Sequence, residues 1–187
     1  MRYTVVFDAC VLYPAPLRDF LHRLSMTGLF AAKWTDQIHD EWIRNVLKAH
    51  PELEDKLPRT RDLMNRAVSD ALVTGYETLI EKLELPDADD RHVLAAAIRC
   101  GAQAIVTFNL KDFPDDVLAQ YGIEGIHPDH FIEHQLDLHQ GAVMATAKQH
   151  RAALKNPSKT SAEYLESLAA QGLVISADRL RDFIELI

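Results

Sequence analysis

Four acidic positions have the side chains and local settings to handle a cation: Asp8, Glu41, Asp90 and Asp112. Asp8 ends the apolar run Tyr-Thr-Val-Val-Phe at 3–7. Glu41 borders the apolar stripe of a helix pattern that opens after Thr35. Asp90 follows Asp87 and Asp89 just before the apolar helix pattern at 91–100. Asp112 closes the block Thr-Phe-Asn-Leu-Lys-Asp-Phe at 107–113, in which Thr107 and Asn109 add neutral polar groups. Carboxylates gathered in a partly buried place repel, so protons or cations must compensate. Oxygen-only ligand sets favour hard ions such as Mg2+ or Mn2+. No Cys/His spacing suggests zinc. His92 falls inside a helix pattern and reads as a packing or solvent-facing residue rather than a ligand.

Each acid also has a plainer reading. Asp8 could serve a turn, and Glu41 a solvated flank of its helix. Asp87, Asp89 and Asp90 could cap the helix they precede, although one aspartate satisfies a cap and three exceed it. Asp112 could be a turn residue before Phe-Pro. What favours a joint site is their common placement, and that depends on the elements.

The run at 3–7 has little polar alternation, as a parallel strand covered on both faces would. Leu17, Phe20, Leu21 and Leu24 follow helical spacing, with Gly28 as a stop. Residues 29–34 read as a second strand. Thr35 caps a helix bearing Ile38, Trp42, Val46 and Leu47. A helix over 59–72 presents Leu63, Ala67, Val68 and Ala71. Residues 78–85 are too short a run to tell strand from helical turn. Val93, Leu94, Ala97 and Ile98 stripe the helix that Gly101 ends, and strands follow at 103–106 and 122–126. Strands alternating with helices predict a parallel α/β sheet. Right-handed crossovers then bring every strand C-terminus to one edge. Asp8 and the 107–112 loop share that edge, and the helices carrying Glu41 and Asp90 start there.

Beyond about 138 the strand signal stops. Thr-Ser-Ala-Glu at 160–163 has capping-box spacing, and Ser176 caps a final helix bearing Leu180, Phe183, Ile184 and Ile187. The expected organisation is a domain over 1–137 and a helical C-terminal extension over 138–187.

The chain has 187 residues, 48% hydrophobic and 26% charged, which is ordinary globular usage. Its formal net charge of -8 argues against a nucleic-acid coat protein, which needs Lys and Arg on phosphates. A cation-holding carboxylate cluster would itself add negative charge, so a nuclease stays open. Arg18, Arg23, Arg44, Lys48, Arg91 and Lys111 could contact phosphates around the acids, though a solvated surface role suits any one of them better. Cys10 and Cys100, the two cysteines, read as small core residues of a reducing compartment. No apolar run is long enough for a membrane span, and no signal peptide shows. A cytoplasmic protein with no membrane contact is expected.

Asp8 after the first strand, Glu41 in the helix after the second, Asp-x-x-Val-Leu-Ala-Ala-Ala at 90–97 and Thr-Phe-Asn-Leu-Lys-Asp-Phe at 107–113 resemble the PIN-domain pattern, which includes VapC-type toxins. The resemblance covers about residues 1 to 135. It implies a Rossmann-like parallel sheet flanked by helices and a Mg2+- or Mn2+-dependent endoribonuclease acting on single-stranded RNA. Asp8, Glu41, Asp90 and Asp112 match the metal-holding acids, and Thr107 and Asn109 the polar residues that support them. Three aspartates stand where the pattern has one, so the choice among Asp87, Asp89 and Asp90 stays open. An antitoxin protein and a homodimer are the partners to expect.

Other strand-end aspartate chemistries fit less well. A haloacid-dehalogenase-type phosphatase wants a second Asp where Cys10 stands. A response-regulator receiver needs an acidic pair near the first strand. A dinucleotide-binding enzyme needs a glycine-rich first turn. RNA processing without an antitoxin, and a catalytically silent PIN-fold binding module, remain as alternatives.

Overall fold

The computed structural model describes residues 2–187. Four parallel strands form one sheet in the order β2-β1-β3-β4: β1 (Thr4–Phe7), β2 (Ala31–Lys33), β3 (Ala104–Val106) and β4 (Glu124–Ile126). The central position of β1 follows from its composition. Val5, Val6 and Phe7 are fully buried, each burial stabilising by about 1.5–3 kcal/mol. Pairing of Phe7 with Val106 puts Asp8 level with Thr107, one residue past both strands.

Contacts divide the chain into two units. One takes the N-terminal segment to Tyr13 and Phe30–Ile126; the other takes Pro14–Leu29 and His127–Ile187. The first unit contains the sheet and α1 (Ala9–Leu12), α3 (Asp36–Ala49), α4 (Leu57–Ala67), α5 (Glu77–Ile80), α6 (Arg91–Cys100) and α7 (Asp115–Leu118). Helix α6 packs on β1 and β3 through an unbroken buried run, Val93 to Ala97. Gly101 ends it with φ +65°, a left-handed conformation that costs glycine nothing and side-chain residues much.

Helix α3 starts where Thr35 accepts the Ile38 N–H at 3.0 Å, as its sequence predicts. It is then pinned by a chain of bonds. Trp34 Nε1 donates to Asn65 Oδ1 on α4 at 2.7 Å, His39 Nε2 meets the same oxygen at 3.1 Å, and Trp42 Nε1 donates to His39 Nδ1 at 3.0 Å. His39 can accept at Nδ1 only as neutral imidazole. Burial depresses its pKa accordingly.

The second unit consists of α2 (Ala15–Met26), α8 (Pro128–Ala153), α9 (Ser161–Ala170) and α10 (Val174–Arg181). Helix α8 packs with α2 and α10, and α9 with α10. The expected boundary at 137/138 falls within α8, just before His139, whose φ of -146° and ψ of 48° leave the helical region. The capping box at Thr160 and Glu163 forms.

Several sequence expectations need correction. The run at 78–85, open in the sequence between strand and helical turn, begins in the helical turn Glu77–Ile80. Helix α4 ends at Ala67 and buries Leu57 and Met64, while Leu63 is 53% exposed. Leu57 precedes the expected start, so the buried stripe has a different phase from the one the spacing predicts. Ser176 is not the cap of α10. It lies inside the helix, and its hydroxyl donates to Asp129 Oδ1 at 2.7 Å. The Asp129 carboxylate itself accepts the Ile175 and Ser176 N–H groups at 2.8 Å each. A cap supplied from 46 positions away leaves no local pattern in the sequence. Helix α10 also stops at Arg181, before Phe183 and Ile184.

Candidate active site

Asp8 sits directly after β1 and is 3% exposed. Its Oδ2 accepts from Thr107 Oγ1 at 2.7 Å and from Cys10 Sγ at 3.0 Å. Cys10 is held in turn, 3.3 Å from Thr107 Oγ1 and accepting the Phe108 N–H at 3.3 Å. Thr107 also accepts the Asn109 N–H at 2.9 Å. The ends of β1 and β3 are thus tied through one carboxylate. Burial pushes the Asp8 carboxyl above its usual range and outweighs these bonds; the Glu41 charge pushes the same way. Burial also pushes the Cys10 thiol up, reinforced by Asp8, so Cys10 serves as a neutral donor rather than a thiolate ligand.

Asp90 comes from the short 3-10 turn Ala88–Asp90 that leads into α6. It is half-buried. Burial, followed by the charges of Asp8, Asp87, Asp112 and Glu41, raises its carboxyl from the usual 3.8 to about 7. The other three acids singled out in the sequence, Asp8, Glu41 and Asp112, therefore all lie within electrostatic reach of Asp90. Glu41, half-buried on α3, has Oε2 3.2 Å from His92 Nε2. His92 is almost wholly buried, and its Nδ1 has no hydrogen-bond partner among the described residues.

The three neighbouring aspartates separate by role. Asp87 Oδ1 accepts the Asp89 N–H at 2.9 Å, so Asp87 caps the turn. Asp89 is exposed and lines a cavity of about 480 Å³ with Gln37, Asp40, Glu41, Arg44 and His92. Asp90 feels the other acids most. Asp112 closes the 3-10 turn Leu110–Asp112, its N–H donating to the Asn109 carbonyl at 2.9 Å.

The bases expected around the acids are scattered. Arg18 and Arg23 belong to the unit that lacks the sheet. Arg18 is buried, and Arg23 is bonded to Asp19. Lys48 donates to Asn45, and Arg91 to the Ala88 carbonyl. Arg44 borders the acids in the cavity beside Glu41.

The donor chemistry suits a hard divalent cation: carboxylate oxygens whose burial, and then mutual repulsion, drives one of them toward the protonated form. The side chains as placed do not close into a cage. Among the described residues no three His, Cys, Asp or Glu groups converge on one point that could hold an ion.

Cys10, His92 and the cavity-lining Asn45 and Tyr13 were not singled out as site residues from sequence. Cys10 is two residues from Asp8 and His92 two from Asp90, so proximity to a singled-out acid was the available signal.

A parallel four-stranded sheet with a buried aspartate after its first strand and further acids around it defines a class of α/β protein, and residues 4–111 match the PIN domain family. That match covers more than half of the chain, which belongs to this family. Asp112 lies one residue beyond the matched span. Residues 128–182 match a second family, the VapC50 C-terminal domain. Over 101 residues the chain is 44% identical to a Mycobacterium tuberculosis protein named "Putative ribonuclease VapC50". The match covers 54% of this chain and 59% of that protein. The resemblances to PIN domains and to VapC-type proteins read from sequence are both found. No solved structure matches the chain. Among the described residues no helix is long and apolar enough to cross a membrane.

Proposed function

We propose that this chain is a divalent-metal-dependent endoribonuclease that cleaves single-stranded RNA as the toxin of a type II toxin–antitoxin pair in the cytoplasm. The observation that carries the reading is the buried Asp8, fixed by Thr107 and Cys10 and electrostatically joined to Glu41 and Asp90, with Asp112 acting on Asp90 in turn, in a chain of the PIN family. These four acids are the ones assigned to hold Mg2+ or Mn2+. The chemistry such a cation would supply is a bound water more acidic than bulk water and offset of the charge developing on phosphodiester oxygens. Asp8, held by two donors, fixes the position of the site. Asp90, whose carboxyl burial and neighbouring acids push up to about 7, would give up its proton to a bound cation. His92 orients Glu41. Thr107 and Cys10 keep Asp8 from turning away, and no side chain is asked to act as nucleophile.

Purified protein given labelled single-stranded RNA, duplex RNA and single-stranded DNA should cut the first alone, with Mn2+ or Mg2+, and stop with EDTA. EDTA-resistant cleavage would refute the metal requirement. Expression in a host should slow growth, and co-expression of a small partner protein encoded beside it should restore growth. A catalytically silent binding module is the second reading, favoured by acids that do not close into a cage. It predicts RNA retention without cleavage under every metal condition.

A further inference from the structure

Beside Asp8 lies a second cavity of about 410 Å³, lined by Ala9, Cys10, Tyr13, Glu41, Asn45 and Asn109. Its size falls within the usual range for small-ligand sites. Glu41 is a wall of both this cavity and the one that holds Arg44. Residues 41, 44 and 45 are three and four apart on α3, so they share one face of that helix. The two cavities therefore adjoin at Glu41.

Their linings differ in kind. The Arg44 side offers a guanidinium that forms no ion pair with any described residue, a group suited to a phosphate. The Tyr13 side has no cation at all. It has an aromatic ring, 41% exposed, and two side-chain amides. Asn45 Oδ1 accepts from Lys48 at 3.2 Å, which directs its NH2 elsewhere. The Asn109 side chain is bonded to no described residue; its backbone N–H donates to Thr107 and its carbonyl accepts the Asp112 N–H. A ring plus amide donors and acceptors, with a carboxylate as one wall and no positive charge, is unsuited to phosphate. It suits a nucleobase, whose face stacks and whose edge hydrogen-bonds.

We infer that the Tyr13–Asn45–Asn109 cleft is a base-binding subsite: Tyr13 stacks one unpaired base next to the scissile phosphate, and the two asparagines read its edge. This rests on the ribonuclease reading and adds where sequence preference resides.

The test is binding rather than turnover. The full chain carrying Asp8→Asn, in EDTA, is titrated with fluorescent single-stranded RNA and with a series in which one nucleotide at a time is abasic. One abasic position should weaken binding about tenfold, the scale of a base–aromatic stack. Adding Tyr13→Ala should erase that penalty, and Tyr13→Phe should keep it. Asn45→Ala and Asn109→Ala should leave the stack but level the preference among A, C, G and U at that position. Abasic penalties that are unchanged by Tyr13→Ala, or no RNA binding by Asp8→Asn, would overturn the inference. Cleavage by the wild type with Mn2+ is scored separately. If it persists while the penalties do not couple to Tyr13, the subsite falls and the ribonuclease stands; if it is absent, the ribonuclease reading itself falls.

Discussion

Asp90 is the residue whose protonation reports on the site. In the metal-free chain its carboxyl titrates near 7 rather than 3.8, from burial first and then the charges of Asp8, Asp87, Asp112 and Glu41. Between those values the folded chain keeps a proton that the unfolded chain has lost, so metal-free stability falls as pH rises through about 7. Adding Mn2+ should remove that slope, and Asp90→Asn should flatten it without metal; urea titrations across pH 4 to 8 measure both. Calorimetry at pH 6.5 in buffers of different ionisation enthalpy should show roughly one proton released per bound Mn2+. A release near zero would take Asp90 out of the site. Neighbours divide similarly at the other end. Asp112→Asn should weaken Mn2+ binding about tenfold or more, whereas Asp116→Asn, on the exposed first turn of α7, should be neutral. Equal losses would mean the wrong aspartate was chosen. The sequence singled out the acids because types and order are written in it. Which of Asp87, Asp89 and Asp90 does what was hidden, since it turns on where a short 3-10 turn places each carboxylate.

At the scale of elements, the site depends on α3 holding Glu41 against α6. The bond chain Trp34–Asn65–His39–Trp42 is what fixes α3 on α4. Asn65→Leu keeps the bulk but strands two buried N–H donors, so it should cost about 2 kcal/mol in urea denaturation. It should also lower RNA cleavage more than stability alone explains at temperatures where the variant is fully folded. Wild-type stability in that variant would show the chain of bonds to be incidental. The strands and α6 were legible because their apolar runs and flanking Gly101 and Asp residues all agree. Helix α4 was misphased because its sequence is charged throughout and its buried side rests on Leu57 and Met64 alone. The start of α10 was misread because its cap, Asp129, is distant in sequence.

Across the whole molecule, the sheet unit carries the acids and the chain also carries a second unit that matches a family of its own. The sequence showed where strand signals stop, but not that α2, from the N-terminal part, packs with α8, because tertiary pairing of amphipathic helices leaves no local mark. A net charge of -8 opposes the approach of a polyanion, and cations held at the acids reduce that opposition. Cleavage should therefore rise with divalent ion. The most direct test of the central claim is single-turnover cleavage of a labelled single-stranded RNA by wild type and Asp8→Asn, at saturating Mn2+, with both shown folded by circular dichroism. The account predicts a loss of about a thousandfold or more for Asp8→Asn, the scale of removing a group that places transition-state charge stabilisation. Cleavage by Asp8→Asn at the wild-type rate would contradict it.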